Sequence, residues 1–197
     1  MAKLHFNYGT MGSSKSAQVL MTRFNFIQNG RAVWLIKPST DTRDGANIIR
    51  SRIGLQAEAD IIYPDDNLMD KMLRNKKTPD VIIADEAQFF TEEQIHQLRE
   101  IVSLYNIHVF CYGLRTDFRC RLFPASKALF ELSDEFAEIK ASCKCGNKAT
   151  VNARIDASGN VTLEGGQIEI GGNEKYEAMC WTCYYNKTKH HDDDHYY

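Results

Sequence analysis

The sequence predicts an α/β fold, a parallel sheet flanked by helices with a small second unit at its carboxyl end, and three observations carry that prediction. An alternating strand at residues 4–8 runs through a glycine-rich turn into a helix at 17–27 with apolar residues at Val19, Leu20, Phe24 and Ile27. Continuous apolar runs at 32–36 and 81–84, of the kind a sheet covered on both faces requires, recur between helical stretches. From Ser142 onward the composition changes to paired cysteines and glycine-rich turns.

The turn is Gly9-Thr10-Met11-Gly12-Ser13-Ser14-Lys15-Ser16. It meets the phosphate-loop template G-x-x-x-x-G-K-[ST] except that Ser14 stands where the template has its second glycine. The chemistry needs backbone N–H groups converging at a helix N-terminus, a lysine reaching the β- and γ-phosphates, and a hydroxyl on Mg²⁺. Lys15 and Ser16 suit the last two roles, so the larger unit reads as P-loop NTPase-like. A small-residue turn before a helix is the plainer alternative for the octapeptide alone.

The strand at 32–36 opens a βαβ unit, and the loop after it, residues 37–45, holds both charge signs where open α/β sheets place ligands. Asp41 and Arg43 are therefore site candidates, although a solvated turn would contain the same residues. Residues 48–63 show no clean period; Asp65-Asp66-Asn67 then reads as a cap for a helix ending near Leu73.

The run at 81–84 leads directly into Asp85-Glu86. An aspartate at a sheet edge can hold Mg²⁺ beside the P-loop hydroxyl. Strand alternation would send Glu86 the other way, toward a phosphoryl acceptor, making it the candidate base. A hydrolase could use the same carboxylate to orient water. Thr91 and Gln94 form a capping box ahead of a helix presenting Ile95, Leu98, Ile101, Val102 and Tyr105, and residues 108–113 form the next buried strand. The aperiodic stretch 114–124 mixes Arg115, Arg119 and Arg121 with Phe118 and Phe123 and reads as a lid whose arginines could offset phosphoryl charge; an exposed basic loop is the alternative. A helix at 125–132 and a final strand at 136–139 complete the unit.

Cys143, Cys145, Cys180 and Cys183 make two close pairs, enough thiolates for a closed tetrahedral zinc site of structural type. Lys144, Lys148 and Lys187 are near enough in sequence to offset its charge. Between the pairs, residues 150–155 and 161–163 form a hairpin around Ser158-Gly159-Asn160, with a second turn at Gly165-Gly166. The expected division is a P-loop α/β unit at 1–141, a zinc-ribbon unit at 142–188 and a disordered tail at 189–197.

With 197 residues, a net charge of −2 and 43% hydrophobic residues, the chain is of ordinary globular composition. Nothing in it suggests a broad nucleic-acid footprint, a leader peptide or a membrane span, and six cysteines without an export signal argue for thiols or metal over disulfides. A soluble, cytoplasmic protein is expected, with no nucleic-acid or membrane partner.

Taken in order, the P-loop, Asp41-Thr42-Arg43, Asp85-Glu86-Ala87-Gln88-Phe89, the 114–123 segment, the two cysteine pairs and Ile170-Gly171-Gly172-Asn173-Glu174-Lys175-Tyr176 resemble the type II, cytosolic-type thymidine kinases. The resemblance runs from about residue 4 to 186. It implies a P-loop α/β domain with a zinc-containing lasso domain, a homotetramer, and transfer of the γ-phosphoryl of ATP to the 5′-hydroxyl of deoxythymidine, with Mg²⁺ accompanying ATP. By the same resemblance Gly9, Thr10, Met11, Gly12, Ser13, Ser14, Lys15, Ser16, Asp85 and Gln88 bind the nucleotide and Glu86 is the catalytic base. Met11, Asp41, Arg43, Phe89, Leu114, Phe118, Phe123, Gly171 and Tyr176 surround the nucleoside, and Cys143, Cys145, Cys180 and Cys183 are the zinc ligands. Deoxyuridine is expected as a second substrate and purine nucleosides are excluded by size. A zinc-ribbon P-loop NTPase acting on nucleic acid is the competing reading.

Overall fold

The computed structural model describes residues 1–42, 45, 47–75, 77–168 and 175–188. Strand β1 (Leu4–Gly9) leads through the glycine-rich turn into helix α1 (Lys15–Gln28), followed by β2 (Val33–Pro38). Three short strands come next, β3 (Ile48–Arg50), β4 (Gln56–Glu58) and β5 (Asp60–Ile62), then helix α2 (Leu68–Leu73) and β6 (Val81–Ala84). A 3₁₀ turn at Ala87–Phe89 precedes α3 (Glu92–Tyr105), β7 (His108–Gly113), α4 (Pro124–Leu132) and β8 (Glu135–Ile139). The chain closes with β9 (Val151–Ile155), β10 (Val161–Thr162), β11 (Tyr176–Met179) and α5 (Trp181–Thr188).

Six strands form one parallel sheet in the order β5-β2-β6-β7-β1-β8. The continuous apolar run of β6 follows from its position inside that sheet. Ile82 and Ala84 join the core beneath α2, α3 and α4, while Val81 and Ile83 join Val19 and Leu20 of α1 on the opposite face. Ile82 and Ile83 are fully buried, each stabilising the fold by roughly 1.5–3 kcal/mol relative to an exposed side chain. A charge at either position would break one of the two cores. Helix α1 is narrower in its packing than its sequence suggests, since Phe26 reaches the core while Phe24 and Ile27 remain exposed.

The capping signals hold locally. Asn67 accepts the Asp70 N–H at the start of α2, and Thr91 with Gln94 closes the capping box of α3. The unpatterned stretch 48–63 contains an antiparallel β3–β4 hairpin and the edge strand β5. These strands have three residues each, too few for a period to show.

Strands β10-β9-β11 form a separate antiparallel sheet over a third apolar cluster built from Ala149, Val151, Ala153, Val161, Met179 and Tyr184. The hairpin turn closes on Asp156, whose carboxylate accepts the Ser158 and Asn160 N–H groups, and Gly165 takes a left-handed φ of +100° at the second turn. Among the described residues, no helix is long and apolar enough to cross a membrane.

Candidate active site

The carboxyl ends of β1, β2, β6 and β7 open onto one cavity of about 490 Å³. Its walls come from the glycine-rich turn, Asp41, the β3–β4 hairpin, the segment after β6, the 114–123 segment, and Asn152, Gln167, Ile168 and Tyr176. The cavity therefore lies at the carboxyl edge of a parallel sheet, where open α/β folds bind ligands.

The turn is tight for identifiable reasons. A Cβ at Gly9 would lie 2.5 Å from both the Ile139 carbonyl and Ser13 Oγ, so only glycine allows this approach. Gly12 has φ +76°, and Ser14 adopts the left-handed conformation (φ 63°, ψ 27°) that the template's glycine would take without strain. The substitution thus preserves the turn at the cost of a strained serine. Lys15 is buried and donates to the carbonyls of Thr10 (2.8 Å) and Gly9 (3.3 Å), which holds its ammonium over the loop. Thr10 Oγ1 and Ser13 Oγ are buried without a hydrogen-bond partner, polar atoms that a ligand's oxygens would satisfy.

Asp85 stands just past β6 and accepts the Glu86 N–H at 3.0 Å and the Ser16 hydroxyl. Burial first, and the neighbouring Glu86 carboxylate second, push its carboxyl up to about 7, against the opposing pull of Ser16 and Lys15. A hydroxyl and a carboxylate side by side are hard oxygen donors of the kind Mg²⁺ takes, and a cation there would relieve the penalty on ionised Asp85.

Glu86 also faces the cavity, but not through strand alternation. The strand ends at Ala84, and Glu86 itself turns left-handed (φ 48°, ψ 42°) to start the 3₁₀ turn. A non-glycine residue in that region marks local strain of the sort found at functional sites. Gln88 Nε2 donates to Glu86 Oε2 at 2.6 Å, and Gln88 Oε1 accepts the Leu114 N–H at 2.9 Å.

Asp41 lines the cavity and is no solvated turn residue; it is buried and lies 3.3 Å from the fully buried Lys37 ammonium. Met11, Phe89, Leu114, Phe118 and Phe123 give the cavity its apolar part, with the Phe89 and Phe123 rings edge to face at 5.9 Å. The Arg154 guanidinium lies 3.7 Å from the centre of the Phe118 ring and donates to the Tyr176 hydroxyl at 2.8 Å. Arg43 and Gly171 lie outside the described residues, as does the tail at 189–197.

The arginines of the 114–124 stretch do not line the cavity, contrary to the lid reading. Arg115 donates to the Thr150 carbonyl at 3.3 Å, and Arg119 to the carbonyls of Leu163 (2.9 Å) and Gly165. The segment closes on itself through a Thr116–Leu122 bridge, and the Tyr184 hydroxyl of α5 donates to the Phe118 carbonyl. Among the described residues, the cations that do line the cavity besides Lys15 are Arg50 and Arg52 of the β3–β4 hairpin, which the sequence reading missed with Asp117, Asn152 and Gln167. The only available signal for the arginines was the Arg-Ser-Arg run in a stretch without periodicity.

The sulfurs of Cys143, Cys145, Cys180 and Cys183 lie within 4.8 Å of one another, with Cys145 and Cys180 3.6 Å apart. A tetrahedral zinc with Zn–S bonds of about 2.3 Å has sulfur–sulfur edges of about 3.8 Å, so the cluster is compatible with structural zinc. Gly146 supplies the φ of +90° at the first knuckle, where its N–H bonds back to the Cys143 carbonyl. Backbone N–H groups of Cys145 and Cys180 hold the Cys143 thiol below its ordinary value, which favours a thiolate ligand. Two of the nearby lysines are engaged elsewhere, Lys144 with Glu177 at 2.7 Å and Lys148 with Glu138 at 2.8 Å.

A family model described as thymidine kinase matches residues 2–184, nearly the whole chain. The chain belongs to the thymidine kinase family. A thymidine kinase of Jannaschia sp. (strain CCS1) is 44% identical over 182 residues, covering 91% of this chain and 93% of its own length. One from Legionella pneumophila (strain Lens) is 46% identical over 184 residues, 91% of this chain and 88% of its own. One from Rhizobium etli is 42% identical over 197 residues, 98% and 95% respectively.

Proposed function

We propose that the chain transfers the γ-phosphoryl group of ATP to the 5′-hydroxyl of deoxythymidine, giving dTMP in pyrimidine deoxynucleoside salvage. The observation that carries this reading is the pair Asp85 and Glu86 on one cavity of a chain of this family, one carboxylate against the P-loop hydroxyl and the other turned by a left-handed backbone.

In this mechanism the N–H groups at the start of α1 receive the phosphates, helped by the positive end of the helix. Lys15 exchanges its carbonyl partners for the β- and γ-phosphate oxygens. Ser16 and Asp85 would hold Mg²⁺, which would supply charge neutralisation to the triphosphate. Glu86 accepts the proton of the 5′-hydroxyl as it attacks in line; because such transition states are loose, holding the hydroxyl in place contributes as much as basicity does. Gly9–Ser14 wrap the phosphate chain.

Met11, Phe89, Leu114, Phe118 and Phe123 form the apolar walls for thymine, and Tyr176 with Gly171 belongs to the lasso that reads its polar edge. Asp41, on the cavity wall, completes the nucleoside site together with Arg43, which is assigned by the resemblance. One methyl in an apolar pocket is worth about 1–3 kcal/mol, so deoxyuridine is turned over too, less efficiently. Purines are too large. Zinc at the four cysteines stiffens the lasso, and the units 1–141 and 142–188 act as kinase and lasso domains ahead of a tail at 189–197. The working form is a cytoplasmic homotetramer with no nucleic-acid partner. The deciding experiment is a metal-replete assay of ATP with each of the four deoxynucleosides plus deoxyuridine, with products identified by mass. Equal turnover of deoxyguanosine and deoxythymidine would overturn the specificity.

A further inference from the structure

Gln88 sits two residues after Glu86 on the 3₁₀ turn and is 2% exposed. Its amide is clamped at both ends. The Leu114 backbone N–H can only donate, so the oxygen of Gln88 must face it at 2.9 Å, and that leaves the NH₂ end facing Glu86 Oε2 at 2.6 Å. The amide therefore has one orientation, set from the main chain that follows β7. The backbone there is shaped to admit it: a Cβ on Gly113 would lie 2.7 Å from Gln88 Oε1 and 3.1 Å from the Gln88 backbone nitrogen. An alanine at 113 would displace the clamp without removing a polar group.

Resting on the assignment of Glu86 as base, we infer that Gln88 is a positioning residue that aims the Glu86 carboxylate. A carboxylate on a flexible side chain samples several rotamers, and a donor fixed at its far end selects one. Because the same amide holds Leu114, which lines the apolar part of the cavity, the base and one wall of the nucleoside pocket keep a constant separation. Phosphoryl transfer is sensitive to that separation, since most of its catalysis is positioning.

The test is a double-mutant cycle on the full-length, metal-replete chain with Glu86→Gln and Gln88→Met, backed by Gly113→Ala. Gln88→Met is expected to lower kcat by about 10- to 100-fold, the rate equivalent of one hydrogen bond to a charged group, with KM for ATP within about twofold. In the Glu86→Gln background the same change should cost less than about threefold, because a residue that acts through another has nothing left to act on. Gly113→Ala, which keeps every polar group, should reproduce the split between kcat and KM. Additive losses in the cycle, or a rise in KM for ATP matching the fall in kcat, would overturn the inference while leaving Glu86 as base. An unchanged kcat in Glu86→Gln alone would overturn both.

Discussion

Asn152 of β9 accepts the Met11 N–H at 2.7 Å and donates to the Thr116 carbonyl at 3.3 Å, so one buried amide ties the phosphate loop to the second sheet. Met11 and Thr116 both line the cavity, and β9 is the central strand of that sheet. Asn152 is thus a direct hydrogen-bonded link between the loop and the second sheet.

Removing metal with a chelator should loosen β9 and release that bond. The expected result is faster amide hydrogen exchange at Met11, together with higher KM for both ATP and deoxythymidine; Asn152→Leu should give the same result with metal present. Unsatisfying two buried groups should also destabilise that variant by roughly 1–3 kcal/mol. Exchange at Met11 that is indifferent to chelation would rule out the coupling.

Ser14 carries left-handed backbone strain that glycine would not. Ser14→Gly should stabilise the ligand-free chain by about 0.5–1 kcal/mol in urea unfolding, the left-handed cost being partly offset by glycine's freer unfolded chain. A β-branched replacement such as Ser14→Val should destabilise it. A neutral or destabilising Ser14→Gly would show that the serine is not strained.

Much of the fold was legible because a strand buried on both faces has no choice but to be apolar throughout, as β6 is in sending Val81 and Ile83 one way and Ile82 and Ala84 the other. Asp85 was legible for the same reason, being the first polar residue past such a strand. The β3–β4 hairpin was not, since three-residue strands leave no period, and Arg50 and Arg52 went unnoticed with it. The direction of Arg115 and Arg119 was misread because it is set by carbonyls of residues 150, 163 and 165, far away in sequence. Nor does a glutamate announce a positive φ, so the turn that aims Glu86 could only be seen in three dimensions.

Asp85 makes stability depend on pH with a definite sign. Its carboxyl is raised from 3.8 to about 7, chiefly by burial and then by Glu86, so the ligand-free fold binds its proton more tightly than the unfolded chain does. No penalty exists below about pH 4, and stability is lost as pH rises from there through about 7. Ligand-free Asp85→Asn should thus gain on the parent as pH rises from 5 to 8, by at most roughly 3 kcal/mol. Mg·ATP should stabilise the parent and not the variant. A gap that does not change with pH would refute the assignment.

The apolar walls proposed to hold thymine predict graded specificity. Deoxyuridine should lose kcat/KM by about 10- to 200-fold, the value of one methyl group. Leu114→Ala should shrink that ratio by enlarging the methyl's site, as read by competition of the two nucleosides in one reaction. Loss of both substrates in equal proportion would place the methyl elsewhere.

Two adjacent carboxylates with separate duties are the centre of this account, and Glu86→Gln separates them most directly. With calorimetric titration of Mg·ATP beside dTMP formation, the expected result is nucleotide affinity within about twofold of the parent and kcat lower by ~10²–10⁴-fold. Turnover equal to the parent's would contradict it.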